Sequence, residues 1–292
     1  MNLMLKLASF TARILPQQVK QAIYRCQPLA RLLRRTLNQS APSGLTRVNI
    51  AAGGLKGMQF VLDLQTEKDY WLGNYEPDLQ RTARDFIRQG MTIYDVGANI
   101  GYLSLLFARL AGETGKVFAF EALPENIQRL QGNIVLNKME ARISVVPAAV
   151  VEASRRVEFL IHASGAMGKA LGSAGREEDY NRKIEVDGIA LDDFTFAQNH
   201  PKPDVIKMDI EGGEVLAVQG MHRLMNEVAP ILLMEIHGKT SAHAVWQALS
   251  DHGYHIARMK PPYRLLQSYQ QLDWKAYLVA FKPEAGSPRL PR

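Results

Sequence analysis

Apolar positions in this chain repeat with two different periods, and the changes between them mark its elements. Leu3, Leu7, Phe10 and Ile14 fall at helical spacing, and after Pro16 the series Val19, Ile23, Cys26, Ala30, Leu33 and Leu37 continues in steps of four and three. Both stripes predict short amphipathic helices. Residues 38–44 (NQSAPSG) read as a linker, and 47–64 as short strands broken at Gly53, Gly54 and Gly57. A helix is expected over 77–88, ending at Gly90. Beyond it, apolar runs at 92–96, 116–121, 143–146, 204–209 and 231–236 are separated by helical segments. Strands alternating with helices predict a parallel sheet covered on both faces. Phe159 and 184–186 read as extra strands around a glycine-rich stretch, 164–175, expected to be a mobile loop. Asn137, near the end of the helix that Pro124 opens, reads as a cap. The Pro-rich end, 282–292, is expected to fray.

Charge separates the arm from the body. Residues 1–62 hold nine Lys or Arg and no acid, so the remainder of a chain with net charge +6 is slightly acidic, about −3. A phosphate track needs a concentrated basic surface, so the body has little electrostatic support for nucleic-acid binding. Lys6, Arg13, Lys20, Arg25, Arg31, Arg34 and Arg35 accompany the apolar stripes of the arm, a pattern suited to an anionic membrane surface, to a partner, or to packing on its own domain. Lys6 and Arg13 also divide the stretch that a secretory signal would need. No run approaches the roughly 18 apolar residues of a membrane span. Cys26 is the single cysteine of 292 residues, which precludes an intramolecular disulfide and agrees with a reducing compartment. A cytoplasmic protein, peripheral to the membrane at most, is expected.

The candidate chemistry lies at strand ends. In TIYDVGANIGY, residues 92–102, an apolar strand runs through Asp95 into a glycine-rich turn before a helix, which brings ligand close to backbone at the carboxyl end of a strand. Gly97, Asn99 and Gly101 depart from the dinucleotide fingerprint G-x-G-x-x-G, because Asn99 stands at its second glycine. The next strand ends at Glu121, where an acid can accept both hydroxyl hydrogens of a ribose. The strand at 204–209 leads into Lys207-Met208-Asp209-Ile210-Glu211-Gly212-Gly213-Glu214, four charged residues within eight. Such charges are seldom buried without partners, and a cleft accommodates them. Glu235 and His237 occupy alternate positions of the next strand and so share a face. Lys207 reads as an ion-pair partner of Asp95 or Asp209.

Taken in order, GNYEPDLQ at 73–80, DVGANIGYLSLLFA at 95–108, FEALPENIQRLQGNIVLN at 120–137, LDDF at 191–194, KMDIEGGE at 207–214 and MEIH at 234–237 resemble the FkbM-type family of S-adenosylmethionine-dependent methyltransferases. The resemblance covers roughly residues 59–258. It implies a Rossmann-like sheet of seven mostly parallel strands with helices on both faces, the last strand antiparallel over about 276–281. It also implies methyl-donor binding at Asp95, Gly97, Ala98, Asn99 and Gly101 and at Glu121 with Ala122, and an acceptor facing KMDIEGGE. A sulfonium cation suits a pocket bordered by Glu76, Asp95, Asp209 and Glu211. The domains expected are a basic arm over 1–40, strands and a helix over 41–88, a methyltransferase domain over 89–282 and a tail over 283–292.

The activity so implied is methyl transfer to a hydroxyl of a glycan, glycolipid or natural product. Alignment carries much of such catalysis, and a hydroxyl acceptor also needs its proton removed. Asp209, Glu211 and His237 are the candidates, with Lys207 beside them. N-methylation, and a non-catalytic membrane-recruited protein of the same fold, are the alternatives. No resident metal is expected, because no spaced motif such as H-E-x-x-H accompanies these acids.

Overall fold

The structure, a computed structural model, describes residues 42–165, 167–175 and 178–283. The arm expected over 1–40 therefore lies outside the described residues, as does the tail beyond Pro283. The described chain forms two compact units, the first comprising 42–77 together with Val135–Lys138.

In the first unit, β1 (Leu45–Asn49) and β2 (Gln59–Asp63) pair antiparallel with Leu45 opposite Asp63. Alternation buries Phe60 and Leu62 of β2. A short helix, α1 (Lys68–Leu72), follows, and the Trp71 carbonyl accepts from Ala51 N at 2.8 Å. Asn137 directly follows the last residue of the helix Pro124–Leu136, at the cap position expected of it, and its side chain has a further role. Its Oδ1 accepts from Gln59 N at 2.9 Å and its Nδ2 donates to Gln59 O at 2.7 Å, so its amide pairs with β2 as a neighbouring strand would.

All of α2 (Pro77–Phe86) but its first residue belongs to the second unit. Phe86 packs edge-on against Tyr263 with ring centres 5.1 Å apart, and Tyr263 donates to Asp85. Next come β3 (Thr92–Val96), α3 (Tyr102–Ala111), β4 (Lys116–Phe120), α4 (Pro124–Leu136), β5 (Ile143–Val146) and β6 (Ala149–Val150). A three-stranded excursion follows, β7 (Arg155–His162), β8 (Gly168–Ala170) and β9 (Tyr180–Ile189). The chain then runs through β10 (Val205–Met208), α5 (Glu214–Gln219), β11 (Ile231–His237), α6 (Gly238–Asp251), β12 (His255–Arg258) and β13 (Lys275–Phe281).

Seven strands form the main sheet in the order β12-β13-β11-β10-β3-β4-β5, with β13 antiparallel to both neighbours. Its faces follow from alternation. Tyr94, Val96, Ile206, Met208, Leu232, Met234 and Ile236 enter one buried apolar cluster with Val245 and Leu249 of α6. Asp95, Lys207, Glu235 and His237, at the intervening positions, therefore point to the opposite face, which is why a strand can carry both core and chemistry.

The stretch 164–175 is not a loop throughout. Gly168–Ala170 pairs antiparallel with β7, Phe159 opposite Ala170. Lys169 is 4% exposed, and its Nζ donates to Ala174 O at 3.1 Å.

Candidate active site

At the carboxyl end of β3 the turn 97–101 is fixed from below and from the side. Asp95 is fully buried between the sheet and α3, where Oδ2 accepts from Ser104 Oγ at 2.6 Å and Oδ1 lies 3.2 Å from Lys207 Nζ. Register explains the meeting, since Lys207 on β10 stands opposite Asp95 on β3. The same ammonium donates to Gly97 O at 2.7 Å and Val96 O at 3.3 Å. Burial pulls the Lys207 pKa down, but Asp95, with Asp209 behind it, outweighs this and raises it. Lys207, a candidate catalytic group from sequence, has its three donors engaged beneath the turn and is 3% exposed, and Asp95 is sealed there with it. Gly97 has φ +79°, and a Cβ there would stand 2.0 Å from the Asp209 carbonyl oxygen. Only glycine lets the β3 turn and the end of β10 approach so closely.

Glu121 follows β4 directly. Its Oε2 accepts from Asn99 N at 2.7 Å, and its Oε1 from Ala122 N at 3.0 Å and Leu123 N at 2.9 Å. Burial raises its pKa, and these three backbone donors act against that shift. A carboxylate offers about four lone-pair sites, so the clasp orients Glu121 across the turn without exhausting it. Gly97 N and Ala98 N both donate to Phe120 O, which ties the turn to β4. Glu76 lies in the first unit, in a left-handed backbone conformation, φ 44°.

Beyond β10 a second cluster assembles. Asp209 N donates to Val96 O at 3.1 Å, which holds that residue against the end of β3. Glu211 takes a left-handed backbone, φ 55°, and turns the chain into α5. His237 ends β11, 3% exposed, and both its ring nitrogens face carboxylates: Nδ1 lies 3.4 Å from Glu214 Oε1, and Nε2 lies 2.9 Å from Glu235 and 3.7 Å from Glu211. A neutral imidazole has one N–H, so two carboxylate acceptors select the imidazolium. Burial opposes that charge, yet the bonds to Glu214 and Glu235 prevail and lift the pKa to about 10. Lys275 also contacts Glu235, and burial notwithstanding, these two cations hold Glu235 below the usual carboxylate range. Asp209 shifts the other way. Burial, with Glu235 and Glu211 nearby, outweighs Lys207 and His237 and raises it to about 7.

Asp209, Glu211 and His237 each place one ligand-type atom within 4.8 Å of the others. Glu214, the last of the four charges in 207–214, has no role assigned to it by the sequence. It is fully buried at the start of α5, and its Oε1 also accepts from Ile210 N at 3.1 Å. An acid four residues past Ile210 is visible in the sequence, but its partner lies 23 positions further on and is found only across the sheet.

A seven-stranded sheet of this order, a glycine turn after β3, an acid after β4 and carboxylates after β10 define a Rossmann-like methyltransferase. Residues 95–256 match the methyltransferase FkbM domain, and the chain belongs to that family of S-adenosylmethionine-dependent methyltransferases. Hexuronic acid methyltransferase AglP of Haloferax volcanii is 26% identical over 176 residues, 60% of this chain and 68% of that protein. The 31-O-demethyl-FK506 methyltransferase FkbM of Streptomyces tacrolimicus is 24% identical over 201 residues, 60% and 77% of the two chains. Among solved structures, a methyltransferase FkbM from Methylobacillus flagellatus KT aligns over 75% of this chain and 54% of its own, with 19% identity and a TM-score of 0.43.

The residues present fit S-adenosylmethionine. Carboxylates dominate both clusters, the cation nearest the turn is spent on Asp95, and Glu121 spans the turn with lone pairs to spare. This donor set suits a sulfonium and an unphosphorylated ribose rather than a phosphate. When bound, S-adenosylmethionine supplies a methyl carbon made electrophilic by its sulfonium. Among the described residues, no helix is long and apolar enough to cross a membrane.

Proposed function

We propose that this chain methylates a hydroxyl oxygen of a glycan or other small hydroxylated molecule, with Asp209 as the base that takes the hydroxyl proton. One observation carries the reading: Asp209, held at the end of β10 against the end of β3, stands within 4.8 Å of Glu211 and His237, where burial and the neighbouring acids raise its carboxyl to about 7. A base poised near neutrality combines a useful ionised fraction with enough proton affinity to act. His237 is the opposite case, since a ring with both nitrogens protonated cannot accept a proton. It serves instead to stabilise the ionised forms of Asp209 and Glu211. Glu121 and the turn 97–101 hold the donor, Lys207 and Asp95 position that turn, and Glu211 orients the acceptor. The named activities of the relatives, on a hexuronic acid and on 31-O-demethyl-FK506, support a hydroxylated acceptor. The arm over 1–40, rich in bases and free of acids, brings the enzyme to an anionic membrane surface in the same reading.

Transfer of label from methyl-labelled S-adenosylmethionine to a panel of hydroxylated glycans and lipids tests it. The expected product is a methyl ether, formed at least about a hundredfold more slowly by Asp209→Asn while S-adenosylhomocysteine binds that variant normally. Label recovered only on nitrogen, with Asp209→Asn fully active, overturns the reading.

A further inference from the structure

Beside the Asp209 cluster stands a large aromatic side chain that the mechanism above does not use. Trp274 immediately precedes β13, and β13 runs antiparallel to β11 with Lys275 opposite His237. Its beginning therefore lies at the carboxyl ends of the parallel strands, the edge of the sheet at which ligands bind in folds of this type. Trp274 is 42% exposed, whereas Trp71 is buried at 1%. Its ring centre is 6.2 Å from that of His237 and set nearly perpendicular to it, at 77°.

Backbone contacts hold this position. Trp274 O accepts from Gly238 N at 2.6 Å. A Cβ on Gly238 would stand 3.6 Å from the indole Nε1 and 3.8 Å from the Gly175 Cα. Gly175 in turn backs onto Glu211, whose carbonyl oxygen would be 2.9 Å from a Cβ at 175, and Ala174 N donates to Gly212 O at 3.0 Å. The indole, the 173–175 backbone and the Glu211 turn thus border one place, with His237 beneath it. Buried Lys169, bonded to Ala174 O, fixes the 173–175 side of that border.

We propose that Trp274 is the acceptor platform, its exposed indole taking the apolar face of an uncharged sugar ring and presenting a ring hydroxyl to Asp209. This rests on the hydroxyl-acceptor reading above and names its substrate class. An indole offers a flat apolar surface with one polar edge, which matches a pyranose: C–H groups on a face, hydroxyls around the rim. An exposed aromatic at the mouth of a polar site marks a contact for ligand. Charge favours an uncharged ring. Around His237, four carboxyl groups (Asp209, Glu211, Glu214 and Glu235) stand against the imidazolium and Lys275. A carboxylate-bearing acceptor would add to that excess.

The test is binding of methyl pyranosides of differing hydroxyl configuration to the full chain saturated with S-adenosylhomocysteine, followed by saturation-transfer NMR. The expected result is binding by at least one neutral pyranoside, weakened about tenfold or more in Trp274→Ala and largely retained in Trp274→Phe. Unchanged S-adenosylhomocysteine affinity and melting temperature in both variants show that the loss is local. Equal binding by Trp274→Ala, or no binding by any pyranoside, overturns the platform. Tighter binding of methyl glucuronide than of methyl glucoside overturns the preference for an uncharged ring. Because binding is read without turnover, Trp274-dependent binding with no methyl ether formed leaves the platform standing and removes the hydroxyl-transfer reading instead.

Discussion

At the scale of single residues, two opposite shifts within one cluster determine how the protein should respond to pH. Turnover with saturating acceptor is expected to rise as pH passes about 7, where Asp209 loses its proton, and then to level off. His237→Gln removes a positive neighbour of that carboxyl and should move the limb above 7, measured as the pH dependence of kcat. A rate that keeps climbing through pH 10 in the unmodified enzyme would point to His237 as the base. Stability carries a second signature. His237 is raised from 6.5 unfolded to about 10 folded, so its contribution is fully present below pH 6.5 and lost as pH rises through 10. Asp209, raised from 3.8 to about 7, contributes a fall of the same sign at lower pH. Urea midpoints should therefore drop between pH 7 and pH 10, and drop less in His237→Gln. Equal drops in the two proteins would exclude a buried imidazolium. Much of this site is legible in the sequence because strand-end charges are conspicuous in an apolar pattern. Asp209, Glu211, Glu235 and His237 announce themselves in that way. Lys207 is legible there as an ion-pair partner of Asp95 or Asp209, but the choice of Asp95, the burial of both and the role of Glu214 depend on register between strands distant in sequence, which local pattern does not encode.

Elements show where pattern suffices and where it fails. Thr92–Val96 forms the strand its apolar run predicts, because both faces of a central parallel strand are covered; Ile143–Val146 also forms its predicted strand, at the edge of the sheet beside β4. Gly168–Ala170 is three residues long and contains a glycine, so its pairing with β7 leaves no readable period. The junction between the 173–175 segment and the Glu211 turn depends on Gly212, where φ is +101° and a Cβ would stand 1.9 Å from Ala174 O. Gly212→Ala is expected to cost on the order of a few kcal/mol and to lower kcat/KM for the acceptor. S-adenosylhomocysteine affinity should change little, and unaltered acceptor kinetics would show the junction to be incidental. Gly132, inside α4 with open space around its missing Cβ, offers the contrast. Gly132→Ala should stabilise by about 0.5–1 kcal/mol in urea unfolding, since helix propensity alone changes.

For the molecule as a whole, the expected ligand response separates donor from dinucleotide. S-adenosylhomocysteine should raise the melting temperature and NAD should not, because the turn at 97–101 has Asn99 where a dinucleotide site needs glycine. Equal stabilisation by NAD in a thermal-shift assay would contradict the donor site. The arm gives a second whole-chain expectation: binding to anionic vesicles that weakens with salt and is lost without residues 1–40. The parallel-sheet class was legible from strand–helix alternation, but the membership of the first unit was not, because Val135–Lys138 joins it from far along the chain. That membership sets an order of events during synthesis. β1 and β2 leave the ribosome early, yet the amide that pairs with Gln59 belongs to a residue 78 positions later. At roughly 5–20 residues per second, the hairpin waits several seconds for Asn137, and until then one edge of β2 is open to whatever strand is nearest.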